Sequence, residues 1–139
     1  MKKKISTLLI AVSLLLALSI APAHAYSKER VKADIPFEFT VAGKSFPAGE
    51  YIVEQFASRI LMIRSTDGRY VTMFLISPVQ PGASVTKAKL VFHRDGEQHS
   101  LFRVFTGASG LGFETPRTDS EEKLAKNSSA YEYVTVTGK

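Results

Sequence analysis

The chain contains no cysteine and no tryptophan. The first absence rules out a disulfide framework, thiolate metal ligands and lipid attachment at a cysteine, so packing alone must supply stability. Histidine is scarce as well, with three residues, and one of them, His24, lies in an N-terminal stretch of separate character. Outside that stretch there is no long apolar run and no large excess of charge of either sign. Large apolar area comes instead from nine phenylalanines and five tyrosines, enough for a sizeable core.

The N-terminal stretch has the pattern of an export signal. Lys2, Lys3 and Lys4 form a basic head, Ile5 to Ile20 is mostly apolar, and Ala23-His24-Ala25 supplies a small-x-small cleavage pattern that would leave Tyr26 as the mature N-terminus. The apolar part is short for a bilayer span and lacks a basic stop-transfer flank, which predicts a cleaved signal helix and no stable membrane span after cleavage. Localisation is therefore predicted to be the periplasm or the extracellular space. Removing the three lysines also lowers the formal charge from +5 to +2. A near-neutral chain of this kind lacks the concentrated basic face that nucleic acid requires, so no nucleic-acid partner is predicted.

Residues 26–139 are predicted to form a single all-β domain, a size at which one core can be buried without staples. Val31, Ala33, Ile35, Phe37, Phe39 and Val41 alternate with polar residues, a period of two that marks a half-buried strand. Pro36, which has no N–H, points to an edge or a bulge within it. Turns at Ala42-Gly43-Lys44 and Pro47-Ala48-Gly49 precede a strand from about Glu50 to Phe56. Asp67-Gly68 and Asp95-Gly96 each sit between apolar runs and predict two hairpins, Ile60–Arg64 with Tyr70–Ser77 and Ala88–Arg94 with Glu97–Thr106. In the first hairpin a two-residue loop sets Met62 against Met73 and Leu61 against Phe74. Both faces are then apolar, which predicts a cover on each.

Ser77 to Thr86 and Gly107 to Gly112 read as loops, a short helix is predicted from about Ser120 to Asn127 with Thr118 or Asp119 as its cap, and Tyr131 to Thr137 alternates as a closing strand. The fold class is thus mainly β, a small antiparallel β-barrel or sandwich of about seven to eight strands with one short C-terminal helix.

Three motifs, Ile35-Pro36-Phe37-Glu38-Phe39, Phe46-Pro47-Ala48-Gly49-Glu50-Tyr51 and Lys89-Leu90-Val91-Phe92-His93-Arg94, resemble those of a group of small exported proteins of soil bacteria. The resemblance implies one compact β domain behind a signal peptide, and it carries over no catalytic residue.

Catalytic templates fail one by one. His93 and His99 flank the Asp95-Gly96 turn, and a two-residue turn places their imidazoles on opposite faces, with a third metal ligand still to be found from Glu97 or Glu114. Gly107 to Gly112 lacks the glycine two residues after Ser109 that a nucleophile elbow needs, and lacks the Gly-Lys-Ser/Thr of a phosphate loop. Glu50 and Glu54 share a strand face without signs of burial, and Asn127-Ser128-Ser129 is an incidental glycosylation match in a bacterial setting. No catalytic residue, metal or cofactor is predicted.

Arg94, His99 and Arg103 remain as ligand-binding candidates. In the simple register they share one face with Phe92 and Leu101, and guanidinium forks there would suit an anionic sugar, a lipid head group or a carboxylate. The competing reading pairs Arg94 with Glu97 and packs the stem of Arg103 on phenylalanine. The function predicted is a non-catalytic exported binding or envelope-associated domain, with an unidentified envelope or extracellular partner or small ligand. A β-barrel carrier of a small apolar ligand ranks second and a hydrolase third, ahead of an outer-membrane barrel.

Overall fold

A computed structural model describes residues 29–80, 85–107, 109–127 and 132–139. The signal pattern, with Ala23, Ala25 and Tyr26, lies outside the described residues, as do Pro81, Gly82 and the serines of the sequon. The protein is mainly β with one short helix, and its sheets curl into a half-barrel.

One four-stranded antiparallel sheet has the order β1-β4-β5-β6, made from β1 (Arg30–Ile35), β4 (Gly49–Ala57), β5 (Ile60–Ser65) and β6 (Val71–Leu75). The other runs β11-β8-β9-β10-β7, from β7 (Ser77–Val79), β8 (Lys89–Asp95), β9 (Gln98–Phe105), β10 (Gly112–Glu114) and β11 (Glu132–Thr137). A small hairpin of β2 (Phe39–Val41) and β3 (Lys44–Phe46) attaches to β9 at Thr40.

Two predicted strands are each split where the chain changes sheets. The run Val31 to Val41 breaks at Pro36, so that β1 joins the first sheet and β2 the second. Proline cannot donate to a ladder, which makes it a natural corner. The run Tyr70 to Ser77 likewise passes at Ile76 from β6 to β7, and these two splits together with β3 and β10 account for the excess of strands over the predicted seven to eight. At the opposite side of the barrel the C-terminal residues draw the sheets together, where Gly138 N donates to Ala88 O at 2.8 Å and Lys139 N to Lys32 O at 2.7 Å.

Alternation fixes which side chains enter the interior. Val31, Ala33, Ile35, Phe39 and Val41 are all buried, as period two requires. They meet Tyr51, Val53, Leu61, Ile63 and Phe92 in one core. Phe39 lies edge-on to Tyr51 at 5.1 Å and to Phe92 at 5.5 Å, a favoured aromatic geometry. Tyr51 sends its hydroxyl out of this core to donate to Pro47 O at 2.7 Å.

Turns follow their residue chemistry. Ala42 and Gly43 both take positive φ, 50° and 76°, the pair of left-handed residues that a two-residue type I′ hairpin needs between β2 and β3. Around Gly68 the Ser65 hydroxyl donates to the Asp67 carboxylate, which also accepts from Arg69 N at 3.1 Å. That bonding holds the Asp67 carboxyl below its ordinary value of 3.8, the Ser65 hydrogen bond being the main cause. The helix, α1 (Asp119–Asn127), opens with a reciprocal capping box in which Thr118 N donates to Glu121 Oε2 at 2.8 Å and Glu121 N to Thr118 Oγ1 at 3.4 Å.

Candidate functional site

The β8–β9 hairpin carries the predicted binding residues, and its register decides which of them meet. Asp95 pairs with Gln98, Arg94 with His99 and His93 with Ser100, so the tight turn is Gly96-Glu97 and the register is displaced by two residues from the predicted one. A displacement of two preserves faces, and the two imidazoles lie on opposite faces of the sheet.

Further along, the ladder shifts. Phe92 pairs with Leu101 but Val91 pairs with Arg103, leaving Phe102 as an extra residue in a β-bulge. One extra residue inverts the parity of everything beyond it. Arg103 therefore lies on the face opposite Arg94 and His99, and the single surface that the sequence predicted for the three residues does not form.

On the inner side, at the barrel rim, His99 stacks on Phe37 with centroids 3.9 Å apart and planes 15° from parallel. Phe37 in turn meets Phe92 edge-on at 5.1 Å. The His99 Nδ1 is buried with no hydrogen-bond partner among the described residues, so ring stacking fixes this imidazole. Arg94 donates from Nε to Gly96 O at 2.9 Å and approaches Glu132 at 3.5 Å. Its carboxylate partner is thus Glu132 of β11, not the Glu97 predicted across the turn.

On the outer face a denser cluster surrounds the bulge. The His93 ring stacks on Phe102 at 3.9 Å, and Tyr133 of β11 meets His93 edge-on at 5.0 Å. The guanidinium of Arg103 lies 4.4 Å from the centroid of the Phe102 ring, and that of Arg117 lies 5.6 Å from it, both within cation–π range. Arg103 is also fixed by Glu114, whose Oε2 accepts from its Nε at 3.0 Å and its Nη2 at 2.9 Å. Burial pushes the His93 pKa below 6.5, Arg117 and Arg103 act in the same direction, and Glu121 and Glu114 oppose them. These influences favour the uncharged ring.

Chemically, this cluster is a shielded aromatic plate edged by two arginines, of which Glu114 neutralises one. It suits contact with an anionic or planar group through the remaining guanidinium and the exposed Tyr133 ring. Only Arg103 was singled out by sequence as a ligand contact. His93 and Glu114 were considered as metal ligands, whereas Arg117 and Tyr133 enter from a loop and a strand far along the chain. The sequence carried only a weak signal, because Leu101-Phe102 and Val104-Phe105 are both adjacent apolar pairs and either could mark a bulge.

Other candidate groups have structural partners. Glu54 is buried beneath Arg30 at 3.0 Å and Arg64 at 3.8 Å, although its alternation had suggested an exposed position. Ser109 shares a hydrogen bond of 3.1 Å with the Thr106 hydroxyl inside its turn. No protein-family model, curated protein or solved structure matches this chain.

Proposed function

We propose that the protein is an exported, non-catalytic β domain of the periplasm or extracellular space, which acts by binding an envelope or extracellular partner through the outer face around Phe102. The filled interior carries this reading. Phe39, Tyr51 and Phe92 occupy the middle of the half-barrel, each no more than 1% exposed, and interlock edge to face. A carrier of an apolar ligand needs that space empty. Groups suited to recognition lie outside, where Arg103 and Arg117 bracket an aromatic plate. Catalysis is disfavoured by the separation of the two imidazoles and by the stacking of each on a phenylalanine. The N-terminal signal pattern and the resemblance to small exported bacterial proteins support the compartment.

The test is fractionation of native cells followed by affinity capture, with wild-type protein compared with an Arg103→Ala/Arg117→Ala variant. The expected result is recovery outside the cytosol with Tyr26 as N-terminus, and a captured partner that the variant loses. Cytosolic recovery with residues 1–25 intact overturns the compartment, and capture unchanged in the variant overturns the surface. An apolar molecule retained in native mass spectrometry would restore the carrier reading, and turnover abolished by His99→Ala would restore the hydrolase.

A further inference from the structure

Strand β6 is an edge, and the phase of its hydrogen bonds determines what that edge presents. Ser65 N donates to Tyr70 O at 2.8 Å, and Ile76 N donates to Arg59 O at 3.0 Å. Both contacts keep the register that pairs Ile63 with Thr72 and Leu61 with Phe74, so Tyr70, Thr72, Phe74 and Ile76 direct their backbone groups at β5. The N–H and C=O groups of Val71, Met73 and Leu75 consequently point away from the sheet. Apart from β5, and β7 where the chain continues at Ser77, no described strand approaches β6. The side chains of the same three residues lie on the outer face and are 54%, 49% and 66% exposed.

Uncovered edges of natural sheets are usually guarded by charge, proline or a bulge. Here no charged residue occurs between Tyr70 and Thr86, and Pro78 comes only after the strand has passed into β7. No described strand or helix supplies the cover predicted for this apolar face; Arg59 and Pro116 approach it only in a cleft at Leu75.

The geometry points to a second copy of this chain as the occupant, added antiparallel at β6 about a twofold axis through Met73. In that register Met73 faces its own copy and Val71 faces the copy's Leu75. Each outward N–H then meets an outward C=O, and all three such pairs on each strand are satisfied. Other antiparallel registers leave some of these groups unpaired. Self-addition of a charged edge would set like charges close together, whereas this one meets its copy without any. On the outer face the central row becomes Met62, Met73 and their two symmetry mates, a pliable apolar seam.

The area involved sets the strength. With about 200 Å² for a fully exposed large side chain, the three residues offer roughly 350 Å² per copy, below the ~800 Å² per partner of stable complexes. The dimer therefore belongs to the weak, concentration-dependent class.

The absence of cysteine makes this readable by cross-linking. In a Met73→Cys variant the two thiols sit on the axis, where a hydrogen-bonded antiparallel pair has Cα atoms about 5.5 Å apart, within disulfide range. Oxidation is expected to give a covalent dimer much faster than for Leu111→Cys, an exposed position elsewhere. Sedimentation of the wild type should approach twice the chain mass as concentration rises. Met73→Lys should weaken association on the order of 100-fold, because it juxtaposes like charges. Met73→Pro should do the same by removing an outward N–H, while the bonds to β5 persist; circular dichroism checks that each variant is folded. Equal cross-linking at the two cysteine positions, or a monomer at every concentration, overturns the proposal. A dimer that survives Met73→Pro but not Val71→Lys indicates packing between faces instead of edges and also overturns it. So does a monomer whose melting temperature falls in Met73→Lys, since a segment of the same chain would then cover the strand.

Discussion

The two edges of the four-stranded sheet have the same backbone phase and opposite chemistry. On β1 the backbone groups that face away from β4 belong to Arg30, Lys32 and Asp34. On β6 those that face away from β5 belong to Val71, Met73 and Leu75. Charge guards the first edge, since Arg30 holds Glu54, Lys32 holds Glu50 at 3.0 Å, and the C-terminal Lys139 N closes on Lys32 O. Among the described residues nothing comparable guards the second. Hydrogen-bond geometry alone would make both edges adhesive; side-chain charge together with the C-terminal residues and β11 beside β1 blunts the first, and among the described residues β6 has neither.

The comparison can be broken from the inside first. Ile35→Ala on β1 and Phe74→Ala on β6 both empty a buried site, and each should lower unfolding stability by about 3 kcal/mol in urea titration. Similar losses would show that the edges differ only on their outer faces. A much smaller loss for Phe74→Ala would mean that β6 is loosely held and is no fixed template.

A smaller effect separates the outer faces. Glu54→Ala leaves Arg30 and Arg64 without their shared carboxylate and should cost about 1–2 kcal/mol. Met73→Lys, at a half-exposed position, should change monomer stability by less than about 0.5 kcal/mol. If the order of these two reversed, β6 would be under cover in solution.

The smallest effect is a dependence on acid. The hydrogen bond from Lys32 holds the Glu50 carboxyl below 4.5, assisted by the charges of Lys32 and Lys139, so the folded state keeps this charge where the unfolded chain takes up a proton. The resulting stabilisation of the β1 edge is complete above pH 4.5 and is lost as pH falls through the lower folded value. Thermal melts should show a gap between wild type and Glu50→Gln at neutral pH that closes in acid. Met73→Lys should follow the wild type over the same range, because β6 carries no group that titrates there.

Much of the barrel was legible from residue spacing. Period two located the inward face of β1, and the pairing of Met62 with Met73 follows from Asp67-Gly68 and the apolar runs beside it. Short elements were harder to read. β7 and β10 are three residues each and stabilise one another only in the folded sheet, so the sequence presented them as loops. The candidate site was the least legible part. Arg103 changes face because of one extra residue at Phe102, and Arg117 and Tyr133 approach that ring from distant segments.

The sequence by itself determined the mainly β character, the hairpin pairs, the core positions and the lack of charge along β6, because each depends on residue type and near-neighbour spacing. Tertiary structure alone decided that Pro36 and Ile76 are corners between sheets, that Glu54 is buried, and that no strand among the described residues pairs with the far side of β6. Those properties depend on which strands meet across the barrel, and long-range packing sets that through burial and curvature that no local stretch encodes.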